Sequence, residues 1–144
     1  MKKVLQFMLS FVFWTSLCWG EMASIAKDWV NVRSGPSTNY KVLWQVFEDY
    51  PVKILEKKGD WAKTVDYEND IGWIHQSLLS KIHTVIVTVD KVNIRTGPGT
   101  RYEIAFKAER GEIFHLVDRK EEWLKIRCLD DYRWIHQNLV WGEY

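Results

Sequence analysis

The chain alternates short apolar runs with short polar segments, and no apolar run keeps a helical period for more than one turn. Runs of about five alternating or fully apolar residues are typical of β-strands, and the turn-rich segments between them are typical of tight connections. The pattern predicts five strands in each half of the chain. These are 29–33, 42–47, 52–57, 61–65 and 71–75, followed by 92–95, 104–108, 112–118, 123–128 and 132–136.

The two halves of the chain are copies of one unit. VNVRSGPSTNY at 30–40 returns as VNIRTGPGTRY at 92–102, an offset of 62 residues (92 − 30). WAK at 61–63 returns at the same offset as WLK, whereas WIHQ at 73–76 returns at 134–137, an offset of 61. The second copy has therefore lost one residue, most simply in the turn around 66–70. Residues duplicated with a folding unit are more often architectural than catalytic.

Each unit is predicted to fold as a small, strongly bent barrel, because five short strands in about 50 residues cannot bury a face as a flat sheet. Alternation directs Val52 and Ile54 inward and places Leu55 on the opposite face, as it does Val117 in the second unit. This predicts that a loop or the neighbouring unit covers those two side chains. The segment 80–90 between the copies lacks Gly and Pro, so we expect it to supply an opening strand and to couple the barrels closely.

Residues 1–20 have the features of a secretory signal sequence. Lys2 and Lys3 precede an apolar run from Val4 to about Trp19, and small residues favour cleavage near Gly20. The alternative is a retained N-terminal anchor, since the run is close to the length that spans a bilayer. The predicted organisation is a signal peptide at 1–20, a first barrel at 24–80 and a second barrel at 81–144.

Charge and cysteine content narrow the range of functions. Without Lys2 and Lys3 the chain has 18 basic residues (20 − 2) against 19 acidic ones, which gives no electrostatic reason to expect a nucleic-acid partner. Cys128 is the one cysteine that follows the signal, so no internal disulfide can form. Seven of the nine tryptophans also follow the signal, and large aromatic side chains can stabilise a core of about 60 residues.

The repeated motifs resemble those of bacterial SH3-like (SH3b) domains arranged in tandem. The resemblance is carried by the opening VN(V/I)R(S/T)GP segment, the Trp-x-Lys motif and the closing WIHQ motif, each present twice and in order. It implies an all-β fold of two partly open barrels of about five strands each, and export to the cell envelope. It also implies use as accessory modules that bind cell-wall material or proteins. Gly72 of the first copy is Arg133 in the second, so the final turn of the second copy cannot rely on glycine.

Catalytic and metal-binding interpretations find little support in the sequence. Cys128 with His115 or His136 is the one thiol and imidazole couple available for nucleophilic catalysis, but Cys128 ends an alternating stretch typical of a buried strand position. His75 and His136 recur after the closing Trp-Ile, which favours a role in ending the last strand or capping the next short turn. No Cys/His cluster has metal-ligand spacing, so we expect no metal, no cofactor and no catalytic residue.

The candidate ligand-binding residues are repeated arginines and aromatics. Each arginine precedes the Gly-Pro loop, where it can hold the loop through backbone carbonyls or recognise a ligand carboxylate. The aromatics are too numerous for every ring to be buried, and flat rings at a cleft can stack on sugars or on proline-rich peptide, or can simply join strands. The candidates are Arg33, Tyr40, Trp61, Trp73, Arg95, Tyr102, Trp123 and Trp134.

These observations predict an exported, non-enzymatic binding module of the periplasm or cell envelope that contacts peptidoglycan or an envelope protein through aromatic-lined grooves. We expect no nucleic-acid partner and no insertion of the mature chain into a membrane. One alternative is a structural or adaptor protein that binds a separate envelope enzyme. Another is a hydrolase that depends on Cys128.

Overall fold

The computed structural model describes residues 20–143, and within them the chain forms two seven-stranded antiparallel sheets. Each sheet belongs to one sequence copy and folds around its own apolar core as a small barrel. The strands of the first unit are β1 (Glu21–Ile25), β2 (Val30–Arg33), β3 (Val42–Val46), β4 (Pro51–Lys58), β5 (Trp61–Val65), β6 (Ile71–His75) and β7 (Leu79–Ser80). Those of the second unit are β8 (Thr84–Val87), β9 (Val92–Arg95), β10 (Ile104–Ala108), β11 (Ile113–Lys120), β12 (Trp123–Cys128), β13 (Asp131–His136) and β14 (Val140–Trp141).

The two sheets have the same strand order, β3-β2-β6-β5-β4-β1-β7 in the first unit and β10-β9-β13-β12-β11-β8-β14 in the second. All ten strands predicted from the alternating pattern are present. Each sheet adds an opening strand, β1 or β8, which pairs with both the long fourth strand and a two-residue closing strand. Segment 80–90 does supply the opening strand of the second unit, and the tandem all-β architecture is confirmed.

Equivalent positions of the two units form equivalent cores. Strands β2 and β9 alternate in the same way. Their first and third residues, which are valine or isoleucine, are buried, and the Asn and Arg between and after them are partly exposed. The fully buried residues of the first core include Ile25, Val30, Ala62 and Ile74, and those of the second include Val87, Ile94, Leu124 and Ile135. Burial of apolar side chains at about 25 cal/mol per Å² is the main term that holds each unit together without a disulfide.

The prediction that a loop or the other unit covers Leu55 and Val117 is wrong. Leu55 is 40% exposed and Val117 is 46% exposed. Both lie where the register of their strand shifts, between Ile54 and Glu56 and between Leu116 and Asp118. Such a β-bulge leaves one residue without a direct cross-strand partner, and in both strands this side chain lies on the outer face, where the alternation places it.

The residue lost from the second copy is missing from the turn between the fifth and sixth strands, as the offsets predict. The turn 66–70 of the first unit is organised by Asp66, whose Oδ1 accepts hydrogen bonds from the backbone N–H groups of Glu68 (2.9 Å) and Asp70 (3.0 Å). Its Oδ2 accepts a hydrogen bond from the Tyr50 hydroxyl at 3.3 Å. In the second unit Cys128 takes the place of Asp66, and the connection shortens to Leu129 and Asp130.

The Tyr50–Asp66 pair predicts a loss of stability in alkaline solution. Burial, followed by the charge of Asp66, raises the pKa of the Tyr50 hydroxyl well above its ordinary value of 10.0. Since the folded state holds this proton more tightly than the unfolded state, the contribution is complete below pH 10 and is lost as the pH rises above it. We expect the urea midpoint of the chain to fall between pH 9 and about 11. Tyr50→Phe should reduce that fall, whereas an equal fall in both proteins would contradict the assignment.

Hydrogen bonds join the two units directly. The Thr84 hydroxyl donates to the Asp49 carbonyl oxygen (2.6 Å), and His115 Nε2 lies 2.7 Å from Asp49 Oδ2. On the other side of the connection the buried Ser24 hydroxyl donates to the Ile82 carbonyl oxygen (2.7 Å). Polar groups removed from water in this way are satisfied across the junction, which supports the close coupling expected from segment 80–90.

No helix in the segment 20–143 is long and apolar enough to cross a membrane. Apart from Gly20, the signal sequence predicted at 1–20 lies outside the described residues.

Candidate functional site

A groove runs along the outer face of strands β2, β5 and β6 in the first unit. Trp61 and His75 are cross-strand partners on this face, and their rings meet edge to face with centroids 5.3 Å apart. The neighbouring residues Ala62 and Ile74 are fully buried on the opposite face, so alternation directs the two rings away from the core. This first groove has a volume of about 330 Å³ and is lined by Lys27, Trp29, Val30, Asn31, Arg33, Thr38, Trp61, His75 and Leu78.

The second unit has the same groove at equivalent positions. Trp123 and His136 are cross-strand partners, with ring centroids 5.2 Å apart. This second groove has a volume of about 420 Å³ and is lined by Val89, Lys91, Val92, Asn93, Arg95, Thr100, Trp123, His136, Asn138 and Leu139. A surface groove that recurs with the same tryptophan, histidine, arginine, asparagine and threonine in both copies is the leading candidate for a binding site.

The two histidines position one wall of each groove. His75 Nδ1 accepts a hydrogen bond from the backbone N–H of Ser77 (3.2 Å), and His136 Nδ1 accepts one from Asn138 (3.2 Å). Each ring thereby caps a 3₁₀ turn, Gln76–Leu78 or Gln137–Leu139. The capping role predicted from the sequence is confirmed. It also fixes the imidazole against the tryptophan edge, so the histidines belong to the groove as well.

The arginines hold the adjacent loop. Arg33 Nη1 donates to the carbonyl oxygens of Thr38 (3.2 Å) and Tyr40 (3.0 Å). Arg95 Nη1 makes the same pair of bonds, to Thr100 (3.1 Å) and Tyr102 (2.9 Å). Charge-assisted bonds to backbone carbonyls fix the loop that forms one side of the groove. The structural role predicted for the arginines is confirmed, and both side chains also line the grooves.

Tyr40 and Tyr102 lie outside the groove linings and pack against loop glycines. A Cβ atom on Gly35 would lie 2.4 Å from Tyr40 Cδ1, and one on Gly97 would lie 2.3 Å from Tyr102 Cδ1. A glycine in a loop is often needed for backbone angles that other residues avoid. The structure gives a different reason, because neither glycine has a positive φ and the close approach of the ring excludes a side chain.

Trp73 and Trp134 also lie outside the groove linings. They sit one pair further along the same outer face, where they pair with Lys63 and Lys125 across the strands and with Arg33 and Arg95 on the other side. The Lys125 ammonium lies 6.0 Å from the Trp134 ring centroid and 4.8 Å from that of Tyr132. The structure therefore divides the candidate aromatics into groove rings, Trp61 and Trp123, and rings beside the groove.

The sequence suggested that Gly72 forms a turn, but the structure does not place it in one. It lies within strand β6, and a Cβ atom there would lie 2.2 Å from Val32 Cγ1 and 3.5 Å from Trp44 Cη2. The glycine thus makes room for buried Val32, whereas a Cβ atom would be in ordinary van der Waals contact with the ring of Trp44. In the second unit Arg133 replaces Gly72, and the smaller Phe106 replaces Trp44.

Trp29 is a groove residue that the sequence analysis missed. It is 66% exposed and has a φ of 61°, a left-handed conformation that is unusual for a bulky side chain. Comparison of the copies could have found it, because its counterpart at an offset of 62 (91 − 29) is Lys91.

The structure does not bring Cys128 into hydrogen-bond contact with His115 or His136 within residues 20–143. His115 is instead paired with Asp49. Burial raises the pKa of the Cys128 thiol above its ordinary value. No group of three or more His, Cys, Asp or Glu side chains that could hold a metal occurs in the same range.

The raised thiol pKa predicts slow alkylation. At pH 7 the thiolate fraction of Cys128 should be smaller than that of an exposed cysteine, and the half-buried sulfur is also harder to reach. We expect iodoacetamide to modify the native protein at least several-fold more slowly than the urea-unfolded protein at the same pH. Faster reaction in the native state would indicate an activated nucleophile and would reopen the hydrolase interpretation.

A family model for the bacterial SH3 domain matches the chain twice, at residues 26–81 and 88–142. The chain belongs to the bacterial SH3 domain family. Both grooves lie within these matches, so each is a feature of one bacterial SH3 domain.

Curated relatives of this bacterial SH3 protein include proteins named as amidases. It is 30% identical over 129 residues to a Bacillus subtilis protein provisionally named N-acetylmuramoyl-L-alanine amidase YrvJ, covering 82% of this chain and 25% of the relative. It is 36% identical over 42 residues to a Staphylococcus epidermidis protein provisionally named cell wall amidase LytH, covering 29% of this chain and 14% of that one. The chain thus spans a quarter or less of the length of these relatives.

Solved structures similar to the tandem domains include an NlpC/P60 family protein from Bacillus cereus, at 13% identity and a TM-score of 0.39, covering 83% of this chain and 55% of that one. NlpC2 from Trichomonas vaginalis is similar at 17% identity, also with a TM-score of 0.39, covering 87% of this chain and 48% of that chain. Scores this low support no inference about function.

Proposed function

We propose that this protein is a non-enzymatic module of the cell envelope whose two bacterial SH3 domains bind peptidoglycan through the first and second grooves. The observation that carries the proposal is the duplication of one groove with its tryptophan, histidine, arginine, asparagine and threonine in place. Core packing does not require the two tryptophans, because the rings of Trp61 and Trp123 lie on the outer faces of their sheets.

The chemistry of each groove suits a polymer with both apolar and hydrogen-bonding surface. The rings of Trp61 and His75 offer flat apolar surface, while Asn31 and Thr38 offer neutral donors and acceptors. The similarity to relatives named as wall amidases supports peptidoglycan as the polymer and the envelope as the location. In such an enzyme a binding module would hold the catalytic part near its substrate.

Retention on purified sacculi tests the proposal. The chain without residues 1–20 should sediment with protein-free, detergent-washed sacculi, and an established wall-binding domain serves as the positive control. The sacculi should release no new amino groups or reducing ends during the incubation, because the proposal includes no catalysis. Failure to sediment under conditions that retain the control would contradict wall binding, and hydrolysis that disappears in Cys128→Ser would contradict the non-enzymatic role.

An adaptor that binds a separate envelope enzyme is a second candidate, favoured by one surface of the second domain. A cleft of about 840 Å³ lies at the end of this barrel and is lined in part by Phe106, Phe114 and Cys128. Leu129, at its rim, is 93% exposed. Exposed apolar side chains around a cleft are typical of protein contacts. A photo-crosslinker at position 129 should attach to an envelope amidase in intact cells if this candidate is correct, and to no protein if wall binding is the whole function.

A further inference from the structure

The two grooves differ at one end. Most lining residues repeat, but Lys27 and Trp29 of the first groove are replaced by Val89 and Lys91 in the second. The residue that contacts Trp29 changes with it, because Phe47 of the first domain corresponds to Glu109 of the second at the same offset of 62 (109 − 47). An aromatic pair in one domain is therefore a charged pair in the other.

The aromatic pair of the first domain is exposed, and its two rings are in contact. The rings of Trp29 and Phe47 meet edge to face with centroids 4.9 Å apart, yet the side chains are 66% and 50% exposed. Large rings that remain this accessible contribute little to the core. Their mutual contact fixes the orientation of the Trp29 ring, which reduces the conformational entropy that a ligand would have to remove.

The backbone under Trp29 does not require an aromatic side chain. Trp29 has a φ of 61° and Lys91 a φ of 49°, so the same left-handed turn forms with either residue. Bulky residues are disfavoured in this conformation, and backbone strain of this kind is concentrated at functional sites. Since neither the fold nor the turn explains the tryptophan, a ligand is the remaining explanation.

The same place in the second domain is ionic. Arg110 Nε lies 2.9 Å from Asp90 Oδ1, and Lys91 and Glu109 complete a polar cavity with them. In the first domain Asp28, the counterpart of Asp90, accepts a hydrogen bond from the Glu48 backbone N–H at 3.0 Å instead. This charged surface offers no flat apolar face to a ligand.

We propose that Trp29 and Phe47 form a sugar-stacking platform that extends the first groove, so that the first domain binds the glycan strand and the second domain lacks this contact. The inference rests on the proposed binding of peptidoglycan. A pyranose ring has an apolar face bordered by hydroxyl and acetamido groups. The flat Trp29 ring matches that face, and Asn31 and Thr38 farther along the groove match the polar border. An uncharged aromatic platform fits an uncharged sugar better than it fits the charged ends of wall peptides.

The test uses a tetramer of β-1,4-linked N-acetylglucosamine as the probe and isothermal titration calorimetry as the readout. Trp29→Lys introduces the residue that the second domain already accommodates in this turn, so the variant should fold with an unchanged melting temperature. We expect it to bind the tetramer about tenfold more weakly, the change that about 1.4 kcal/mol of binding free energy produces. Trp29→Tyr keeps an aromatic ring and should lose less affinity. Phe47→Glu should also weaken binding, and it replaces Trp29→Lys if that variant fails to fold.

A reciprocal variant provides the matched control. Lys91→Trp combined with Glu109→Phe places the aromatic pair in the second domain and should increase affinity for the tetramer. Equal affinity of the unaltered chain and Trp29→Lys would overturn the platform. The platform would also be overturned if the chain sediments with sacculi but does not bind the tetramer. That result would leave wall binding intact and would indicate that the chain binds the wall peptides. A chain retained by neither sacculi nor tetramer would overturn the proposed function together with the platform.

Discussion

Replacing Trp61 by leucine is expected to lower the apparent affinity of the chain for sacculi by about 100-fold, and Trp123→Leu is also expected to lower it. Two linked modules that engage one polymer bind with avidity that exceeds either single affinity by about 10² to 10⁴. Loss of one groove therefore removes the avidity as well as half of the contacts. The double variant should show only background retention.

Leucine keeps apolar bulk at these positions while removing the flat ring. Trp61 and Trp123 are half-buried on the outer face, and their inward neighbours Ala62 and Leu124 remain in the core, so folding should be preserved. Sedimentation with increasing amounts of sacculi gives the apparent affinity, and thermal unfolding of each variant verifies the fold.

Trp73→Leu is the matched control for Trp61→Leu. Trp73 lies on the same face one pair further along, outside the groove lining, so its replacement should change retention by less than Trp61→Leu does. A large loss for Trp73→Leu with little loss for Trp61→Leu would place the binding surface beside the groove. A decrease of only about twofold for each single groove variant would show that the two domains bind independently.

Gly72→Arg is expected to destabilise the first domain by about 3 kcal/mol, the upper part of the usual range for overpacking a core. A Cβ atom at this position would lie 2.2 Å from Val32 Cγ1, and Val32 is only 2% exposed. For a domain of this size the loss corresponds to a fall in melting temperature of roughly 12 to 24 °C. Stability of a domain of about 60 residues is itself small, so a large fraction of it would be lost.

The second domain supplies the control for this prediction. Arg133 occupies the equivalent strand position beside Phe106, so Arg133→Gly should lower the free energy of unfolding much less than Gly72→Arg does. Adding Trp44→Phe to Gly72→Arg reproduces the pair of the second domain and should recover part of the stability, because the smaller ring leaves room for the arginine stem. Urea and thermal unfolding measure both effects. An unchanged midpoint for Gly72→Arg would show that the strand shifts to accommodate the side chain.

Much of the fold could be predicted because the evidence for it is local and is present twice. The alternating runs predict all ten internal strands, and the change in offset from 62 to 61 locates the missing residue in the turn that Asp66 organises. The caps formed by His75 and His136 could also be predicted, because a duplicated polar residue at the end of a strand is close to the backbone groups it satisfies. The exposure of Leu55 could not, since alternation gives the face of a side chain but not whether another part of the chain packs over that face.

The candidate site was predicted only in part. Trp61, Trp123, Arg33 and Arg95 do line the grooves, but an aromatic residue in a repeat gives no indication of whether its neighbours leave a cavity beside it. Tyr40 and Tyr102 instead pack on glycines, a contact that depends on how the long loop closes. Trp29 was missed because its exposure follows from a left-handed turn that no residue type signals when tryptophan or lysine occupies it.

The sequence alone determined that the chain consists of two copies of one all-β unit, which strands each copy contains and where its turns lie, because alternation and turn residues act over a few neighbouring positions. The packing of the folded chain sets which outward side chains share a groove, why a side chain at Gly35 or Gly72 would clash with its neighbours, and how Asp49 joins the two domains. The reason is physical: these properties depend on distances between strands that are far apart in the chain, and barrel closure sets those distances.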